Sequence, residues 1–152
     1  MSPVGARPFT ARTYVSLAIA RGIAAAHGHA NLTGYHIALG FLREGENPAI
    51  AALGRAGVPL HALRHALEKA LPERGQPSAG EVRLPATPGE QAIVRAAVLE
   101  SNAFHSEYVG NEHLLLALLR DAESPVAEVF SHYGITHESA LAHLRAVFGN
   151  EP

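Results

Sequence analysis

Ten of the 152 residues are histidine. Imidazole is the side chain that titrates nearest neutral pH and the commonest metal ligand, so the spacing of these ten decides which chemistry is open to the chain. His61 and His65 lie one helical turn apart and can share a face, while His27 and His29 flank Gly28. Either pair is half of a tetrahedral site, and nothing in the spacing supplies the remaining ligands. "HALRH", His61 to His65, also lacks the glutamate that follows the first histidine of the zinc-protease motif. No metal and no other cofactor is expected. Cysteine is absent, which removes thiolate ligands, thiol nucleophiles and disulfides together. His36 and His113 differ from the rest in holding matched positions of a repeated segment, each in the first turn of a predicted helix. No nucleophile stands at a fixed offset from them, so they are expected to orient a helix cap or an interhelix contact, and no catalytic residue is assigned.

Glu112 has a different potential. A carboxylate in the first turn of a helix is stabilised by the helix dipole, which is sufficient reason for it to be there. The same carboxylate can pair with a guanidinium, while free N–H groups at the helix start near Thr87 can take an anion. A ligand carrying both charges would suit the two together. The stabilising and the ligand-binding readings both stand.

The elements that would position these residues come from a repetition. "GYHIALGFLREGENP", Gly34 to Pro48, returns as "NEHLLLALLRDAESP", Asn111 to Pro125, at the 77-residue spacing that separates His36 from His113. The spacing runs on without a gap through Leu39/Leu116, Leu42/Leu119, Arg43/Arg120, Pro48/Pro125, Gly57/Gly134 and Leu67/Leu144, and back to Ala20/Ala97, Thr10/Thr87 and Pro8/Pro85. A self-match at fixed period marks one supersecondary unit written twice. Within it, Thr10 and Thr87 cap a first helix, the second with Pro88 at the first helical position and Glu90 completing a capping box. A second helix covers about 35–43 and 112–120, with an arginine near each C-terminal end. Asn47-Pro48 and Ser124-Pro125 open a third, which Gly57 and Gly134 close. The fourth runs over about 60–71 and 137–148, with Thr136 as a cap. The predicted fold is therefore all-α: eight helices in two four-helix repeats related by a pseudo-twofold axis, each burying its apolar face on the other. Residues 1–8 form an arm, 9–72 the first repeat, 73–85 a Pro/Gly-rich linker and 86–149 the second repeat, the two repeats making one domain. A core satisfied internally predicts a monomer.

Composition excludes several functions. The net charge is −2 and Lys69 is the only lysine, so the dense basic surface that a phosphate backbone requires is missing and nucleic acid is not a partner. The most apolar run, Tyr14 to Ala26, is too short to cross a membrane and is split by Arg21. The residues before it lack a signal-peptide pattern, so the chain is read as soluble and cytoplasmic. No G-x-x-x-x-G-K-[ST] occurs, so the sequence holds no phosphate-cradling loop and no ATPase.

"VGNEHLLLALLRD", Val109 to Asp121, and "TGYHIALGFLRE", Thr33 to Glu44, each following a Thr-capped helix, resemble the Clp N-terminal domain, the double repeat at the front of Clp-type AAA+ unfoldases, here without the ATPase modules. The resemblance spans about Phe9 to Gly149 and is carried by two copies in register, with Asn111 where the family has Thr and Tyr35 where it has Glu. It implies a non-enzymatic module of the Clp protease system that binds protein substrates, adaptors or Clp unfoldase and protease components. Members of the family recognise phosphorylated arginine through a Thr and a Glu in each repeat. Carried over, Thr87 and Glu112 match in the second copy, whereas in the first Thr10 matches and Tyr35 does not. Val4, Phe9, Val82 and Leu84 precede the two capped helices and could line an apolar groove for an unfolded peptide, with core packing the simpler role for Phe9. Relatives that bind cyclic peptide antibiotics use aromatic rings in this region, which Ala6 and Ala86 lack. The Met1 start and the short tail after Gly149 lean towards a free-standing module over a fragment. The alternative functions are a decoy that sequesters small molecules or substrates of the unfoldase, and, from another class, an enzyme of unknown chemistry.

Overall fold

Helix starts here are set by local chemistry, and the sequence states that chemistry twice. The computed structural model describes residues 8–73, 75 and 88–149. Among them run eight α-helices: α1 (Ala11–Ala26), α2 (Gly34–Glu44), α3 (Pro48–Arg55), α4 (Leu60–Ala70), α5 (Pro88–Ala103), α6 (Asn111–Leu119), α7 (Pro125–Ser131) and α8 (His137–Phe148). The first residues of α1 and α5, α2 and α6, α3 and α7, and α4 and α8 all stand 77 apart. The side chains of Thr10, Asn47, Ser124 and Thr136 accept from the amides of Thr13, Ile50, Ala127 and Ser139, satisfying N–H groups that have no partner inside the helix. Gly57 and Gly134 then turn the chain at φ 80° and 78°. No strand occurs among the described residues; an isolated parallel bridge joins Phe9 to Val109.

The two matched histidines cap helices. His36 Nδ1 accepts from the Thr33 amide and His113 Nδ1 from the Gly110 amide, each at 2.9 Å. An imidazole three residues into the helix thus plays the part that Glu or Gln plays in a capping box, and both rings are buried.

α6 is buried nearly all round, through Leu114, Leu115, Leu116, Leu118 and Leu119, as suits a helix at the centre of a fold. It packs on α2, which adds Ile37, Leu39 and Phe41 to the same cluster. α1 covers α2 and α5 covers α6, while α3 rests on α8 and α4 on α7. Each copy's third helix therefore lies against the other copy's fourth, the exchange that a twofold relation demands, and one copy alone would leave its apolar face open. No helix among the described residues is long and apolar enough to cross a membrane.

Among the described residues, one position breaks a backbone preference. After α1 the chain turns through Gly28 at φ 70°; after α5 the matched position is His105, at φ 59°. A Cβ in the left-handed region costs roughly 1–2 kcal/mol, less the backbone entropy that glycine gives up on folding. His105→Gly is therefore expected to raise unfolding free energy by about 0.5–1 kcal/mol in urea titrations. A loss of stability would show that the imidazole holds this turn.

Candidate functional site

Two places among the described residues stand out, an open groove lined by both copies and a group of buried polar side chains with unmet polarity in the second copy. The first is a groove between α1 and α5, with a volume of about 420 Å³. Its walls are the same helix face taken once from each copy: Tyr14, Leu17 and Ala18 from α1 and, 77 residues on, Gln91, Val94 and Arg95 from α5. At one end the rings of Phe9 and Tyr14 stack at 5.6 Å, and Tyr14 is 62 % exposed. The backbone under this aromatic ledge is held by the other copy: Val109 N–H donates to Pro8 O at 2.9 Å and Thr10 N–H to Val109 O at 3.0 Å. On the floor, the Arg21 guanidinium donates twice to the buried Glu90 carboxylate, Nε to Oε1 at 3.2 Å and Nη2 to Oε2 at 2.5 Å. This planar two-bond pair joins α1 to α5 and cancels charge beneath an otherwise apolar cleft.

The second place is the start of α6. Glu112 is only 3 % exposed, and burial pushes its carboxyl up from the usual range, a hydrogen bond to its own backbone amide opposing the effect. No arginine, lysine or histidine among the described residues pairs with it. The carboxylate folds back over Gly110, where a Cβ would lie 2.2 Å from Oε1; glycine precedes Glu112 by two because the carboxylate fills the space. Beside it Asn111 is 1 % exposed, and neither its amide nitrogen nor its amide oxygen has a hydrogen-bond partner. Uncompensated burial of such groups is costly.

The residues singled out from sequence are distributed as follows. Phe9 forms part of the groove. Thr10 is committed to structure: its Oγ1 caps α1 and lies 2.7 Å from Thr13 Oγ1, which in turn donates to Val109 O at 3.1 Å. Tyr35 opens α2 as a half-buried phenol whose pKa is raised by burial and then by Glu128, so it offers a neutral hydroxyl where Glu112 offers a carboxyl. Thr87, with Val4, Ala6, Val82, Leu84 and Ala86, lies outside the described residues. His61 and His65 are exposed on α4, and no three His, Cys, Asp or Glu side chains among the described residues stand close enough to hold a metal. Tyr14, Arg21 and Arg95 were not singled out by motif. Their signal was the coincidence, at 77 residues, of two partly exposed helix faces that the twofold turns towards each other.

Comparison with known proteins follows the same lines. The family model for the Clp repeat (R) N-terminal domain matches residues 8–133. The chaperone protein ClpB of Oceanobacillus iheyensis is 31% identical over 142 residues, and the negative regulator of genetic competence ClpC/MecB of Bacillus subtilis is 32% identical over 142 residues. In both cases the match takes in 93% of this chain and 17% of the relative, so the chain spans about a sixth of the length of these curated proteins. Among solved structures, the N-domain of ClpV from Vibrio cholerae superposes with a TM-score of 0.76 at 17% identity, over 99% of this chain and 95% of that one, which establishes a common fold.

Proposed function

The chain belongs to the Clp repeat N-terminal domain family, and from that premise we propose that it is a non-enzymatic, monomeric, cytoplasmic module that captures substrates or adaptors of a Clp unfoldase by taking apolar peptide side chains into the groove between α1 and α5. The observation that carries this reading is the open aromatic ledge of Phe9 and Tyr14 above an apolar cleft. An exposed tyrosine stacked beside a cleft supplies contact area at little entropic cost, as binding surfaces do. The experiment is fluorescence anisotropy with a labelled, permanently unfolded protein such as reduced carboxymethylated α-lactalbumin. Saturable binding is expected, weakened about fivefold to tenfold by Tyr14→Ala, for roughly 1–1.5 kcal/mol of lost apolar contact. Binding undiminished by Tyr14→Ala would sink the groove as the capture site.

A second reading rests on the start of α6. A buried carboxyl that lacks a cation, beside an amide that lacks both partners, is stabilised by a ligand that brings a guanidinium and an acceptor. Phosphoarginine on marked proteins has that chemistry. In calorimetric titration, about one phosphoarginine is expected to bind per chain, with affinity falling tenfold or more in Glu112→Gln, because a hydrogen bond to an ionised group is worth roughly 1.5–3 kcal/mol. Tyr35→Glu is expected to add a second, weaker site. Equal affinity in the wild type and Glu112→Gln would reduce Glu112 to a helix-start residue.

A further inference from the structure

We propose that the groove selects acidic amphipathic segments, and that Arg95 is the residue that selects them. The inference rests on the groove reading and adds the chemistry of its occupant. α1 contains no acidic residue, and the carboxylates of α5 are Glu90 and Glu100. Both are buried and already engaged, Glu90 by Arg21 and Glu100 by Arg120 and His137. The two helices that build the groove therefore present no open negative charge to an incoming chain. Their cations are Arg12, Arg21 and Arg95. Arg12 is held by Glu44 at 2.7 Å and faces Glu46 at 3.6 Å, and Arg21 is held by Glu90.

Arg95 alone among these three is exposed on the groove wall with no carboxylate of the described residues in ion-pair range. It lies one residue from the apolar contact Val94 and occupies the place that Ala18 holds in the first copy. A protein of net charge −2 thus turns a local positive charge towards this apolar cleft. A segment with apolar side chains on one face and a carboxylate at the edge of that face meets both features. A basic segment would bring its cations against Arg95 with nothing to receive them.

The test uses two fluorescein-labelled helical peptides that share one pattern of Leu and Phe and differ only in carrying Glu or Gln at every polar position. With the intact chain at low salt, the Glu peptide is expected to bind about two- to fivefold more tightly, the range of a single exposed ion pair. That margin is expected to close in 1 M NaCl, where the Debye length is about 3 Å, to close in Arg95→Gln, and to invert in Arg95→Glu. Circular dichroism confirms that the variants are folded. Equal binding of the two peptides by the wild type would overturn the proposal while leaving the groove reading intact, as would a Glu preference that survives Arg95→Gln. Binding of neither peptide would overturn the groove reading and this proposal with it.

Discussion

Gly40→Ala is expected to lower the unfolding free energy by about 2 kcal/mol, although alanine is the better helix former. In an open helix the substitution would gain roughly 0.5–1 kcal/mol. At Gly40 the added Cβ would lie 2.3 Å from the backbone oxygen of Ser16, 3.2 Å from Ala20 Cβ and 3.3 Å from Ala20 N. Two of those three atoms are helix backbone and have no rotamer by which to move aside, so α1 as a whole must retreat from α2. Overpacking of this kind costs roughly 1–3 kcal/mol, and here it also opens the contact that carries the aromatic ledge. The second copy is an internal control. Its matched residue is Ala117, and the positions matching Ser16 and Ala20 are Ile93 and Ala97, so α5 and α6 already accommodate the methyl group. Ala117→Gly is expected to cost about 1 kcal/mol, the propensity difference. Urea denaturation of both variants decides the matter; a stabilised Gly40→Ala would mean that α1 yields freely.

That contrast also indicates what the sequence disclosed. Helix starts were legible because their causes are local: Asn47-Pro48, Ser124-Pro125 and Thr136 each act within four residues of themselves, and the Asn-Pro start of the first copy returns as Ser-Pro 77 residues on. The expectation that His36 and His113 orient caps holds for the same reason, since cap and ring are three residues apart. Contacts between helices were not legible. Gly40 looks like a tolerated helix glycine until α1 is laid across it. Glu112 looks like a dipole-stabilised surface acid, whereas the fold around α6 takes it out of water. Tyr14, Arg21 and Arg95 look like ordinary members of two separate helices, and only the twofold brings their faces into one groove. Thr10 was legible as a cap but not as one end of a hydroxyl pair that reaches Val109 in the other copy. The left-handed turn at His105 could have been read from Gly28, its counterpart.

Acidification from pH 7 to pH 5 is expected to cost the protein about 2 kcal/mol of stability through one histidine. The Thr33 amide donates to His36 Nδ1 at 2.9 Å, which assigns the ring proton to Nε2. Nε2–H then donates to His29 Nδ1 at 2.9 Å, so the His29 proton sits on Nε2, facing the carbonyls of Pro72 and Glu73, each at 3.1 Å. The assignment follows from the hydrogen-bond network, and it is satisfied only when both rings are neutral. A proton added to His36 must go on Nδ1, against the Thr33 amide. Burial opposes that charge first, and the neighbouring His29 and His27 oppose it further, lowering the His36 pKa from 6.5 to about 4. Because the folded pKa lies below the unfolded one, the unfolded state binds more protons between these values. Stability is complete above about pH 6.5 and falls as the pH drops towards 4, by roughly 3 kcal/mol over the whole window. His36→Gln keeps an acceptor for the Thr33 amide and cannot titrate. It is expected to be less stable at pH 7 and to lose much less stability by pH 5, so that the two urea-derived curves converge in acid. Parallel curves for the wild type and His36→Gln between pH 7 and pH 5 would show that the proton is taken up elsewhere and that the histidine relay is no more than packing.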